Sequence, residues 1–285
     1  MRAGAAYKMY SPGGNITALV DGPEPDAGRR REIQDSIIKK HACVEQVGFV
    51  YRDGCVACLD MAGGEFCGNA ARAAAWHMLG GRPGAVLLRV SGASGLISAG
   101  VGDALEAWAE IPMETCRVTK SVVASDYCPG ATSGGAWFVE MEGISHLVLS
   151  AAASAPFLDG FYAAGDASAL LRGASRLLDA YFASRFPINY DSGPATGVVF
   201  SDESNGAMKI HPCVFVKQSG TAFYETACGS GSAAAVAVRC VINGKSASVS
   251  VLQPSGSAIE TSVAYDNGVF GRARISGEIS ELHDI

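Results

Sequence analysis

Residues Gly63–Ala75 read GGEFCGNAARAAA, and Glu225–Val238 read ETACGSGSAAAVAV. Each stretch passes through a cysteine and a glycine into an alanine-rich run of helical character. The two cysteines, Cys67 and Cys228, stand 161 positions apart (228 − 67). A pattern repeated over that distance predicts two copies of one structural unit. The alanines are explained by packing: small side chains let strands approach a helix on every side, so both helices are expected to be central and buried. Packing does not explain why a cysteine stands where each helix begins.

Around the first stretch, short β-rich runs alternate with glycine turns, at Ile16–Gly22, Glu45–Gly54, Val56–Gly64, Ala85–Gly92 and Ala104–Met113. Gly28–His41 predicts a second helix in this half. The segment Ala124–Gly135, ASDYCPGATSGG, has no periodicity and marks a boundary. Beyond it, Ala136–Gly143, His146–Ser150, Thr196–Glu203, Met208–Gly220 and Ser246–Gly256 read as strands. Asp166 is placed to cap a helix that carries Leu170, Leu171, Ala174, Leu177, Leu178 and Tyr181 on one face. Each half therefore has strands, one amphipathic helix, and one alanine-rich helix reached through a Cys-Gly step.

The 285 residues, 48% of them apolar, suffice for two ordinary cores. A net charge of −6 with scattered Lys and Arg excludes the basic footprint of a nucleic-acid or anionic-membrane binder. No window has the length of a signal-peptide core or a membrane span. The expectation is a soluble, cytoplasmic protein acting on a small polar molecule. Nine cysteines, an odd count with irregular spacing, read as reduced thiols. Cys55 and Cys58 have C-x-x-C spacing without a second pair, and read as buried thiols within a strand.

A thiol at a helix N-terminus meets the positive end of the macrodipole and unpaired amides, which favour the thiolate, so its pKa is expected to fall. The small residues that follow leave room for a carboxylate against the same amides. Two such starts facing one another would hold an α-amino acid with one sulfur on each side of the α-carbon. One thiolate then removes the α-proton while the opposite thiol supplies another, inverting the centre without a cofactor. There is no phosphate-binding loop, dinucleotide fingerprint or metal-ligand cluster, and no cofactor or metal is expected.

These motifs resemble the cofactor-independent amino-acid racemase family that includes diaminopimelate epimerase. CGNA and ACGSG resemble its two cysteine motifs. Tyr7–Val20 (YKMYSPGGNITALV), Val44–Val50 (VEQVGFV), Gly143–Leu149 (GISHLVL) and Phe270–Leu282 (FGRARISGEISEL) resemble further pieces across nearly the whole chain. The resemblance implies an α+β fold of two pseudo-symmetric domains, each a curled, mostly antiparallel sheet around a central helix. The expected division is 1–116 with 273–285 against 117–272, with the site between the two. It also implies a homodimer. Carried over, Cys67 and Cys228 are the acid/base pair, and the amides of Gly68, Asn69, Gly229 and Ser230 hold the α-carboxylate. Asn15 becomes a substrate ligand and His146 a partner of the first cysteine. A hydrogen-bonded strand-end histidine is the competing reading of His146.

Four residues depart from diaminopimelate epimerase. Ile144 and Gly197 replace asparagines, and Ser219-Gly220 stand where a Glu-Arg pair grips the distal head of that substrate. Emptying such a clamp removes orders of magnitude of discrimination. SPGGN, EQVGF, GGEFCGNA and ETACGSGSA are instead similar to the histidine racemases that supply D-histidine to opine-type, staphylopine-like metallophores. In that branch a Glu precedes the second cysteine by three residues, as Glu225 does. Glu45 and Glu225 are then candidates for the imidazole or the α-amine, with solvated or capping glutamates as the alternative. Diaminopimelate, or another polar amino acid on the same fold, is the alternative substrate.

Overall fold

A computed structural model of the chain describes residues 6–121, 135–185, 193–203 and 206–283. It is α+β, with five helices and seventeen strands among the described residues, the strands joined into one mixed sheet. The expected boundary segment at 124–135 lies outside the described residues except for Gly135.

The first half opens with an antiparallel pair, Tyr7–Ser11 and Thr17–Asp21. Helix α1 (Ala27–Lys40) then carries the chain to Gln46–Asp53, which runs parallel to Thr17–Asp21. A tight turn leads to antiparallel Val56–Met61, and helix α2 (Gly68–Leu79) crosses to the parallel strand Gly84–Val90. Leu96–Val101 and Ala107–Ile111 follow antiparallel.

The second half repeats this succession of pairings. Ala136–Met141 and Ile144–Leu149 are antiparallel, and helices α3 (Ala151–Ala164) and α4 (Ala167–Arg185) lead to Ala195–Asp202, parallel to Ile144–Leu149. Lys209–Val216 returns antiparallel, and helix α5 (Gly229–Asn243) crosses to Ala247–Leu252, which meets it in parallel at one position. Ala258–Asp266 and Val269–Gly277 complete the run. Val269–Gly277 also pairs with Ala107–Ile111, and Ser280–Leu282 returns to Tyr7–Ser11.

The two alanine-rich helices are buried as their composition requires, with Ala70, Ala73, Ala74, Ala233, Ala234 and Ala237 all fully enclosed. They share one apolar cluster. The helix starts meet, so their surroundings merge.

Asp26 caps α1 by accepting from Arg29 N at 2.7 Å, and Asp166 accepts from Ser168 N at 2.9 Å as α4 begins. Leu170, Ala174, Leu177, Leu178 and Tyr181 are buried as a face, with Leu171 at its margin. The sequence reading missed α3, which contains Pro156; Ser150 caps it and Gly165 ends it in the left-handed conformation. It also misplaced Cys55, which is exposed in the turn before Val56–Met61, whereas Cys58 is buried in that strand.

Candidate active site

Cys67 and Cys228 are the N-caps of α2 and α5, with nearly equal backbone angles (φ −130°, ψ 113° and φ −135°, ψ 109°). Each sulfur accepts from the amide three residues on, Ala70 N at 3.3 Å and Gly231 N at 3.2 Å. Both cysteines are free and buried. The glycine after each allows the helix starts to abut. A Cβ on Gly229 would stand 2.5 Å from Ile275 Cδ1 and 3.3 Å from Asn69 Oδ1, and one on Gly68 would meet Ile111 and Ile275 at 2.8 Å. Asn69 donates from Nδ2 to Ala227 O at 3.0 Å, tying the first helix start to the second motif.

Arg72, fully buried on α2, fixes this junction. It donates to Asn69 Oδ1 (3.2 Å), Ala107 O (3.0 Å) and Glu278 O (2.9 Å). Burial lowers its pKa to about 10, which leaves it charged at neutral pH.

The two cysteines are linked through one amide and one carboxyl. The Cys67 thiol donates to Gln46 Oε1 at 2.8 Å, and Gln46 Nε2 donates to Glu225 Oε1 at 2.9 Å. The Glu225 carboxyl also acts on Cys228. Burial, reinforced by Glu45, raises Glu225 to about 8. Both thiols are pushed up rather than down, by burial first and the Glu225 charge second. The expected depression at a helix start is thus reversed. The amides of Ala70 and Gly231 do pull the values down, but removal from water acts more strongly.

Glu45 is held by Asn15 Nδ2 at 2.8 Å and by the amide and hydroxyl of Thr226. Burial raises it to about 7 against those three bonds. Asn15 lies behind Glu45, fully buried and outside the cavity lining, with Thr17 donating to its Oδ1. His146 Nε2 is 3.0 Å from Ser230 Oγ, which is 3.5 Å from Cys228 Sγ. The histidine therefore neighbours the second cysteine's loop, not the first cysteine. Burial lowers it to about 3, so it is neutral. Gly197, across the parallel pairing, makes room for its ring: a Cβ there would stand 2.4 Å from His146 Nδ1.

One cavity gathers Glu45, Gly68, Asn69, Glu225, Gly229 and Ser230 around the two cysteines. It is partly open to solvent, with a volume of about 30 Å³. Ile144 and Ser219 also line it, so two of the four residues that depart from diaminopimelate epimerase face this space while Gly197 and Gly220 do not. Gln34, Gln46 and Glu65 line it too and were not singled out in the sequence. Gln46 follows Glu45 directly, and Glu65 falls within the opening motif; alternation in a strand and position before a cap were the available signals. Gln34 lies on α1 and has no local signal.

The family model described as the histidine racemase CntK N-terminal domain matches residues 5–157 and 183–282. A histidine racemase of Fusobacterium nucleatum is 28% identical over 238 residues, 80% of this chain and 78% of that protein. A histidine racemase of Staphylococcus aureus is 33% identical over 105 residues, 34% of this chain and 38% of that one. Among solved structures, a hydroxyproline epimerase from Agrobacterium vitis with bound trans-4-hydroxy-L-proline superposes with a TM-score of 0.63 at 14% identity, covering 97% of this chain and 90% of that one. A PhzF-family phenazine biosynthesis protein from Enterococcus faecalis gives 0.56 at 13% identity, covering 97% and 96%. At such identities these two likenesses speak for the fold alone.

Proposed function

The chain belongs to the histidine racemase CntK N-terminal domain family, and from that premise we propose that it interconverts L- and D-histidine by two-cysteine acid/base chemistry. The observation that carries this reading is the pair of cysteines in one N-cap geometry, lining one cavity with the amides of both helix starts. The substrate carboxylate lies against those amides, where the dipoles of α2 and α5 favour an anion. Glu45 and Glu225 supply acceptor oxygens for the α-ammonium.

One cysteine, as thiolate, takes the α-proton. The Cα–H electron pair remains on the α-carbon and delocalises into the carboxylate. The opposite thiol then delivers its proton to the other face, so the two sulfurs exchange roles in each turnover. Because burial holds both thiols protonated at rest, a base must prime one of them. Glu225, whose charge acts on both thiols, is the nearest candidate for that base.

The repeated order of strand pairings supports a division into two pseudo-symmetric domains, 1–116 with 273–285 and 117–272, with the cavity between them. We further propose a cytoplasmic homodimer whose D-histidine feeds an opine-type metallophore. No helix among the described residues is long and apolar enough to cross a membrane.

The test is α-proton exchange in D₂O with L-histidine, L,L-diaminopimelate and a panel of other L-amino acids, followed by NMR and chiral chromatography. Exchange and racemisation of histidine are expected. Exchange into another amino acid with none into histidine overturns the substrate assignment.

A further inference from the structure

Two polar atoms of the cavity lining are buried without a hydrogen-bond partner: Gln34 Nε2, a donor, and Glu65 Oε2, an acceptor. Both side chains are more than nine-tenths buried, at 5% and 9% exposure. Buried polar atoms are almost always paired, so an orphan donor and an orphan acceptor on one cavity point to a missing partner. We propose that Gln34 and Glu65 form the side-chain subsite, Glu65 accepting an N–H from the substrate's ring and Gln34 meeting its other ring nitrogen. This rests on the racemase reading and names which residues select the side chain.

The placement supports it. Glu65 lies beside Val216 and Ser219, since a Cβ added to Gly63 would stand 2.6 Å from Glu65 Oε2, 2.3 Å from Val216 Cγ1 and 3.4 Å from Ser219 Oγ. That is the end of the cavity where Ser219 leaves no charged side chain, and Ser219 Oγ is itself engaged by Thr221 at 2.8 Å. Val214, Val216 and Phe223 make the remaining wall there apolar. A flat ring with one polar atom on each of two edges matches apolar walls with one acceptor and one donor. An amide can present either its N–H or its carbonyl, so Gln34 suits the ring nitrogen in either protonation state. Among the described residues the lining includes Glu45, Glu65 and Glu225 and no Lys, Arg or His, so the cavity favours a basic side chain over an acidic one.

The experiment compares wild type, Glu65→Gln and Gln34→Leu for L-histidine exchange, resolving KM from kcat. It also measures the wild type with Nπ-methyl- and Nτ-methyl-L-histidine. Each substitution is expected to raise KM about tenfold or more with a much smaller fall in kcat, because a desolvated polar group is left unpaired. At least one methylhistidine is expected to bind about tenfold more weakly than histidine, with the gap narrowed in Gln34→Leu. Unchanged KM in both folded variants overturns the subsite while leaving the racemase standing. If circular dichroism shows that a variant has not folded, the methylhistidine arm decides: equal handling of both methylated rings and histidine overturns the proposal. Absence of any histidine exchange by wild type overturns the racemase reading and the subsite together.

Discussion

At the residue scale, the two cysteines are alike in backbone and capping but rest as thiols. The helix-start amides stabilise a thiolate, and burial beside Glu225 opposes it more strongly. Two consequences follow. Cys67→Ser and Cys228→Ser are each expected to lower racemisation by roughly 10²–10⁴-fold with the fold retained, the range removed with one general acid or base; full activity in either variant rules out the two-thiol mechanism. In the free protein, iodoacetamide at neutral pH is expected to label exposed Cys43 and Cys55 ahead of Cys67 and Cys228 by peptide mass spectrometry. Labelling of Cys67 first would show that its resting form is the thiolate. The sequence made the cysteines legible because they repeat. It did not reveal Gln46, whose role depends on Glu225 arriving from 179 residues away.

At the element scale, α2 and α5 set the site because each begins at the cavity and runs away from it. Alanine and glycine content was enough to place both helices in the core. What holds the starts together was not visible: Arg72 stands among alanines, yet its guanidinium joins Asn69 to the carbonyls of Ala107 and Glu278. Arg72→Met keeps the length of the side chain and abandons three acceptors, two of them buried. Unfolding in urea is expected to show a loss of about 3 kcal/mol or more, since each buried acceptor left unpaired carries a desolvation penalty. A variant as stable as wild type would mean that those acceptors find other partners. Helix α3 carries Pro156 in its interior, a local signal against a helix, and is selected by packing, with Ala153, Ser154 and Leu158 buried.

At the scale of the whole molecule, three carboxyls share one cavity, and burial raises Glu45 and Glu65 to about 7 and Glu225 to about 8. Between their ordinary range near 4.5 and these values the folded chain binds more protons than the unfolded one. Their stabilising contribution is therefore complete at acid pH and is lost as pH rises through 7 to 8. His146, lowered to about 3, and His211, lowered to about 4, act in the opposite direction, removing stability as pH falls below about 6.5. The unfolding free energy from urea titration is expected to fall between pH 6 and pH 8.5 by an amount on the order of a few kcal/mol; a free energy constant or rising over that interval contradicts the raised carboxyls. By itself the sequence determined the repeat, the two buried helices, the cysteine at the head of each and most strands, because these rest on periodicity, capping and side-chain size within a few residues. Only the tertiary structure decided which groups share the cavity, that burial outweighs the helix termini at both thiols, that His146 stands with Ser230, and that Gln34 Nε2 and Glu65 Oε2 are left without hydrogen-bond partners. Those outcomes depend on desolvation and on contacts between distant segments, which no local pattern encodes.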